Sequence, residues 1–285
     1  MSPSTSDAGR ARLLLALTGA AAARGALAGV TALDRRPAGA PWRRTNYANR
    51  PVTLLGGPAL ALSATATAVL GAPAGTRAAA AVVGTVSGLV GGYDDLAGAR
   101  PEQARDKGLA GHLRALREGR VSAGTVKVAG IGTAAAVAAV LTRGRSRGAG
   151  ALVDGVLTTG LVAGTANLLN LLDLRPGRAA KAGALAAAAA LGGPAGALVA
   201  GPLGATAAVL PADLGERIML GDCGANGLGA LLGLRLAAMP GRGARIGALA
   251  TITGLTLASE KVSFTRVIEA TPGLRELDRL GRLPT

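Results

Sequence analysis

Residues 150–172 read GALVDGVLTTGLVAGTANLLNLL, an apolar run with the length of a transmembrane helix. A helix needs about 20 predominantly apolar residues to cross the hydrocarbon core of a bilayer. Similar runs recur along the chain, with polar, glycine or proline breaks between them. They lie at 11–33, 52–71, 77–93, 121–142, 181–193, 195–211, 224–240 and 246–258. The sequence therefore predicts an all-α fold, a polytopic transmembrane helix bundle of about nine or ten spans.

The composition agrees with helices packed in lipid. Hydrophobic residues make up 49% of the chain, but aromatic residues only 1%, so alanine, leucine, glycine and valine supply the apolar surface. A soluble core of this size normally uses aromatic side chains. Small residues instead allow helices to approach closely in a membrane, where packing contacts drive association.

Charge and rare residues exclude several other classes of protein. The net charge of +15 would suit a nucleic-acid partner, but a single-strand binder also needs stacking aromatics. The single Cys223 excludes an intramolecular disulfide, and the single His112 argues against a histidine-based zinc site. We therefore expect no nucleic-acid partner and attribute the basic residues to membrane orientation.

The basic residues are unevenly distributed between alternate loops. The richer set lies at 35–50, 100–120, 175–181, 217 and 261–282, and the poorer set at 10–12, 77, 143–147 and 242–245. The positive-inside rule places the richer side in the cytoplasm. This predicts a multi-pass protein of the cell membrane with its N-terminus outside and its C-terminal tail inside.

Acidic residues are scarce, and four of them lie at the predicted cytoplasmic ends of spans. Asp94 and Asp95 end one apolar run, Asp173 ends another, and Asp222 precedes a third. A single aspartate at a helix end is most often a cap or a solvated boundary residue. Four on one face of the membrane favour a shared cation and phosphate site, and oxygen ligands of this kind suit Mg²⁺.

A polar stripe supports the same site. Asn167 and Asn170 are three residues apart on one helical face, which Asp173 continues. Polar residues on an otherwise apolar membrane helix are expected to face other helices or a cavity.

Taken in order, these motifs resemble those of a known family over about residues 45 to 235. The segments are RPVTLLGG at 50–57, GGYDD at 91–95, Lys127, NLLNLLD at 167–173 and LGDCGAN at 220–226. They are similar to motifs of the polyprenyl-phosphate N-acetylhexosamine-1-phosphate transferases. That family includes phospho-N-acetylmuramoyl-pentapeptide transferase and the undecaprenyl-phosphate N-acetylglucosamine-1-phosphate transferases.

The resemblance implies Mg²⁺-dependent transfer of a sugar-1-phosphate from a nucleotide-diphosphate sugar to a polyprenyl phosphate in cell-envelope glycan assembly. It implies that Asp222, with Asp94, would ligate Mg²⁺. Asp94 or Asp95 would hold or deprotonate the lipid phosphate. Lys127 would neutralise phosphate charge, although snorkelling to the membrane interface is the alternative for this residue.

The remaining substrate-binding candidates lie on the nucleotide side. By the same resemblance, Asn167, Asn170 and Asp173 would line this pocket. Pro176 stands where the family has a second aspartate of the nucleotide pocket, so the resemblance leaves the nucleotide of the donor open. Arg175 and Arg178 are expected to bind phosphate there instead.

The domain prediction follows from these assignments. A transmembrane transferase-like domain at 1–258 carries active-site loops at 34–51, 94–120, 173–181 and 212–223. Residues 259–285 form a cytoplasmic amphipathic tail, expected to be an interfacial helix, and replace the family's histidine-rich loop. His112 is a candidate substitute for one of those histidines, although a surface histidine without a role is the simpler interpretation.

Two further readings stay open at this stage. One is a non-catalytic relative that binds polyprenyl phosphate or serves as a scaffold for a partner membrane protein; a homodimer is also compatible with the sequence. The other is a transporter, which the absence of an evident inverted repeat makes the weaker reading.

Overall fold

The structure is a computed structural model that describes residues 5–97, 122–144 and 147–284. It is an all-α bundle, as predicted, and each apolar run of the sequence corresponds to one helix. The helices are α1 Thr5–Asp34, α2 Gly56–Gly71, α3 Arg77–Ala97, α4 Ala123–Leu141, α5 Gly148–Leu172, α6 Arg178–Ala189, α7 Ala197–Leu214, α8 Gly221–Ala237 and α9 Arg242–Ser259. Helices α6, α8 and α9 begin three or four residues before the apolar runs that predict them, because their first turns are polar or small.

Helix α8 lies at the centre of the bundle. It packs against α2, α3 and α5, and nearly all of its residues from Cys223 to Arg235 are buried. Glycines make this packing possible: a Cβ on Gly233 would lie 2.4 Å from the carbonyl oxygen of Leu161 on α5. Small residues thus set the distance between helices, as the composition suggests.

In the part of the chain that the structure describes, four helices are long and apolar enough to cross a membrane: Ser6–Asp34 within α1, and α4, α5 and α7. Large apolar side chains on the outer surface, such as Leu62 and Leu152, are each 71% exposed. Exposed apolar surface on this scale suits contact with lipid rather than water. The chain is therefore an α-helical membrane protein; the number of spans and their orientation stay predictions.

A short β-hairpin, which the sequence does not predict, lies between α1 and α2. Strand β1, Arg43–Thr45, pairs antiparallel with β2, Pro51–Thr53. The hairpin is joined to the segment before α8, since Thr53 accepts a hydrogen bond from the Met219 main chain at 2.9 Å. Buried Glu216 accepts further hydrogen bonds from Asn46 and Arg50. These contacts place the predicted loop 34–51 beside the start of α8.

The C-terminal tail does not form one amphipathic helix. It contains two short helices, α10 Phe264–Ala270 and α11 Leu274–Arg279. Pro272 and Gly273 explain the break, because proline interrupts helical hydrogen bonding and Gly273 adopts a φ of +83°.

The tail folds back onto the start of α6. Arg178 is 4% exposed and donates to both carboxylate oxygens of Asp278, at 2.8 and 3.1 Å. Arg282 also donates to Asp278 at 2.6 Å and to the Pro176 carbonyl at 2.9 Å. Although burial alone would raise the pKa of Asp278, the hydrogen bonds and charge of Arg178 lower it below its ordinary value.

The variant Asp278→Asn is expected to release the tail. It leaves the buried Arg178 guanidinium without its anion, at a cost of roughly 2 kcal/mol. We expect faster tryptic cleavage after Lys261 and Arg266, measured by limited proteolysis. Glu269→Gln, on exposed surface of the same tail, should be cleaved at the wild-type rate.

The docking of the tail should also depend on pH, because the folded pKa of Asp278 lies below its unfolded value. The stabilisation by Asp278 is fully present above the unfolded pKa and is lost as pH falls through the folded pKa. Equal cleavage rates for Asp278→Asn and wild type would contradict this role.

Candidate functional site

Three charged residues meet at one end of the bundle, where α3 ends and α4 and α8 begin. The Lys127 ammonium lies 2.6 Å from Oδ2 of Asp94 and 2.6 Å from Oδ2 of Asp222. All three side chains are mostly buried, with exposed fractions of 19% for Lys127, 16% for Asp94 and 24% for Asp222. The two carboxylates therefore converge on one cation, here the lysine ammonium.

Asp95 holds the start of α8. Its two carboxylate oxygens accept hydrogen bonds from the main-chain N–H groups of Asp222, at 2.9 Å, and Cys223, at 3.0 Å. This is the arrangement of an N-terminal helix cap, favoured by the helix dipole. Asp95 thus fixes the position of Asp222 relative to α3. The lipid-phosphate role that the resemblance implies for Asp94 or Asp95 stays a prediction.

Two glycines allow this close arrangement. Gly221 has a φ of +58°, and a Cβ there would lie 2.8 Å from the Asp95 carboxylate oxygens. A Cβ on Gly91 would lie 2.3 Å from the main-chain oxygen of Asp222. Gly91 of the GGYDD segment and Gly221 of the LGDCG segment are therefore explained by contact between the two motifs.

An open cleft of about 650 Å³ lies over this cluster. The hairpin supplies its other wall, through Arg43 and Arg44, and Arg44 also donates to the main-chain oxygen of Asp95. The sequence places both arginines in a cytoplasmic loop but does not identify them as site residues. Their position just before the 50–57 motif is the signal that could have found them. The cleft thus combines carboxylates on its floor with guanidinium groups on its wall.

Asp173 belongs to the edge of the same cluster. It follows directly on α5, and the main-chain amide of Gly221 stabilises its charged form. Burial raises the pKa of Asp173 well above its ordinary value, and the nearby carboxylates of Asp213, Asp222 and Asp95 raise it further. Among the described residues, Asp173 therefore adds a carboxyl group whose charged form is disfavoured unless a cation lies near it.

The other predicted substrate-binding residues lie in different surroundings. Asn167 is exposed and Asn170 half-buried on α5; within the described parts of the chain neither side-chain amide has a hydrogen-bond partner. Arg175 stacks on Tyr47 of the hairpin, with its guanidinium carbon 4.1 Å from the ring centroid. Arg178 forms its ion pair with Asp278 of the tail. Most of the predicted loop 94–120, including His112, lies outside the described residues.

Fold and site together define a class: an α-helical membrane protein with a carboxylate–lysine cluster and an arginine-lined cleft at one end of its bundle. Comparison with known proteins adds no family assignment, since no protein-family model and no curated protein matches the chain.

Proposed function

We propose that the protein transfers a sugar-1-phosphate from a nucleotide-diphosphate sugar to a polyprenyl phosphate at the cytoplasmic face of the cell membrane. The observation that carries the proposal is the convergence of Asp94 and Asp222 on one cation beneath an arginine-lined cleft. Phosphoryl transfer between two charged substrates requires mainly positioning and neutralisation of negative charge. The cleft contains carboxylates that would position a metal ion and arginines that would neutralise phosphate charge.

The residues fit a Mg²⁺ ion in their donor chemistry. Proteins usually bind Mg²⁺ through one or two carboxylates, with substrate phosphate and water completing the coordination. Asp94 and Asp222 already bond one cation between them, and these two would hold the metal. In the described parts of the chain, no group of three or more acidic, histidine or cysteine side chains is arranged to hold a metal. The remaining ligands would therefore come from substrate and water.

The reaction forms a bond between a lipid phosphate oxygen and the β-phosphorus of the donor. The bond from that phosphorus to the oxygen bridging to the α-phosphate breaks, and the nucleoside monophosphate leaves with that oxygen. A bound Mg²⁺ would supply charge neutralisation for the phosphates. Arg43 and Arg44 would orient the donor diphosphate, and Lys127 would shift from the carboxylates towards phosphate. Asp95 would keep Asp222 in place throughout.

An apolar groove beside the cluster suits the polyprenyl chain. The groove has a volume of about 490 Å³ between α3 and α4, and valines such as Val86, Val90 and Val126 line it. Val126 precedes Lys127 directly, so the groove starts next to the charged cluster. A lipid with an apolar chain in this groove would have its phosphate beside Lys127.

The variant Ala129→Trp tests this placement. Ala129 lines the groove and is exposed, whereas the neighbouring Val128, 64% exposed, does not line it. We expect Ala129→Trp to raise the KM for polyprenyl phosphate about tenfold or more by filling the groove, with the KM for the donor unchanged. Val128→Trp should leave both values near wild type. An equal effect of the two variants would place the lipid elsewhere.

One observation favours the non-catalytic alternative, a protein that binds polyprenyl phosphate without transferring anything to it. Lys127 already forms an ion pair with both Asp94 and Asp222, so each of these carboxylates has a cationic partner without a metal. In that case the cleft would bind lipid phosphate through its arginines only.

The two functions are separated by nucleotide release. Purified protein is incubated with polyprenyl phosphate, Mg²⁺ and a panel of UDP-, CDP- and GDP-sugars, and release of the nucleoside monophosphate is measured. Release that requires both lipid and Mg²⁺ is expected for the transferase and names the donor. Absence of release across the panel, with lipid binding intact, would favour the non-catalytic protein.

A further inference from the structure

The end of the bundle opposite the carboxylate cluster contains a second polar cavity. It lies where α4 and α8 end and where α5 and α9 begin, and its volume is about 340 Å³. Arg143, Asp154 and Arg245 line it, together with the hydroxyl-bearing residues Thr142 and Thr158.

The charges around this cavity do not balance. Asp154 binds two arginines, Arg242 at 2.9 Å and Arg245 at 2.8 Å. Arg143 has no ion pair within the described parts of the chain. Among the described residues, the Nε of Arg245 has no hydrogen-bond partner, and it is buried in a side chain that is only 15% exposed. A buried donor without an acceptor is costly, so the cavity is suited to an added anion.

An apolar groove continues from this cavity along the outside of the bundle. It has a volume of about 780 Å³ between α4 and α5, and Arg143 and Gly155 line both spaces. The groove extends along α5 from Gly148 to Gly160, which at about 1.5 Å per residue is roughly 18 Å. That length is close to half of the ~30 Å hydrocarbon core, the depth of one leaflet.

We propose that this cavity and groove bind one anionic phospholipid of the membrane leaflet at that end of the bundle. The phosphate would lie between Arg143 and Arg245 and accept the hydrogen bond that the buried Nε can donate. An acyl chain would lie in the groove against Leu152 and Val156, which are 71% and 59% exposed. Because the arginines outnumber Asp154, the site selects a headgroup with net negative charge over a zwitterionic one. The inference is independent of the proposed transferase activity.

The proposal is tested by native mass spectrometry of the full chain in detergent, titrated with dioleoyl phosphatidylglycerol or dioleoyl phosphatidylcholine. The two lipids have the same chains and differ in headgroup charge. We expect the phosphatidylglycerol to bind about fivefold tighter or more, the contribution of one basic residue near a lipid phosphate. Arg143→Gln should remove this preference, while Arg10→Gln, an exposed arginine near the start of α1 on the same side of the bundle, should keep it.

A second variant tests the groove. A Cβ on Gly155 would meet nothing within 4 Å, so Gly155→Leu fills the groove without disturbing the helix. It should weaken both lipids at least fivefold while the Tm stays within a few degrees of wild type. Equal affinity for the two lipids, or unchanged binding to Arg143→Gln and Gly155→Leu, would overturn the proposal.

Discussion

Asp222→Asn is expected to reduce the kcat of nucleoside monophosphate release by about 1,000-fold or more. The change removes one of the two carboxylates that converge on the cation, and with it the charge that would hold Mg²⁺ against the substrate phosphates. The main-chain N–H of residue 222, which donates to Asp95, is unaffected, so the start of α8 should keep its position. Loss of rate should therefore occur without loss of folding.

The control for this variant is Glu260→Gln. Glu260 is exposed and directly follows α9, outside the cluster. The variant Glu260→Gln makes the same change of charge as Asp222→Asn. It should retain wild-type kcat, and both variants should elute as wild type in size-exclusion chromatography. An Asp222→Asn protein with more than about a tenth of the wild-type kcat would show that Asp222 is not part of the catalytic site.

Lys127→Met is expected to convert the cluster from an ion-pair network into a Mg²⁺-dependent one. Removal of the ammonium takes away the cation that Asp94 and Asp222 share, and leaves these two mostly buried carboxylates facing each other. Breaking a buried pair of this kind costs about 3 kcal/mol, which corresponds to a Tm lower by roughly 5–10 °C. Mg²⁺ at about 100 times its Kd should return about 2.7 kcal/mol, and so most of the lost Tm.

Two comparisons make this result specific. The double variant Lys127→Met with Asp222→Asn should show little response of its Tm to Mg²⁺, because one of the converging carboxylates is gone. Lys261→Met, which removes an exposed lysine, should leave the Tm unchanged with or without Mg²⁺. If Mg²⁺ fails to raise the Tm of Lys127→Met, the two carboxylates do not form a divalent-cation site.

The sequence predicts the helices well because each is an apolar run bounded by glycine, proline or charge. For example, Gly193 lies between α6 and α7, and its φ of +72° is incompatible with a continuous α-helix. The position of Asp94, Asp173 and Asp222 at the same end of the bundle also follows from counting spans. Each helix reverses direction, so alternate helix ends are neighbours.

The contacts between these ends are not predictable in the same way. That Asp95 caps α8 depends on how α3 packs against α8, and two glycines set this distance. The tail contact between Arg178 and Asp278 joins residues 100 positions apart, and no local pattern specifies it. The sequence predicts a phosphate role for Arg178 because Pro176 stands where the resemblance implies a second aspartate. Burial against the tail gives it a different partner.

The position of Lys127 is compatible with two roles. The resemblance implies that it neutralises phosphate, and the structure places it against two carboxylates. An ammonium held 2.6 Å from both Asp94 and Asp222 is kept next to the cleft. The proposed function requires that it exchange these partners for phosphate when Mg²⁺ and the substrates bind.

The most direct measurement of the proposed function is the mass of the lipid after reaction. Purified wild-type protein is incubated with polyprenyl phosphate, Mg²⁺ and each nucleotide-diphosphate sugar, and the extracted lipid is analysed by mass spectrometry. We expect a new lipid that is heavier by one sugar phosphate and is formed in the same amount as the nucleoside monophosphate. This lipid should be absent with Asp222→Asn. Recovery of unmodified polyprenyl phosphate with every donor, from protein that still binds the lipid, would contradict it.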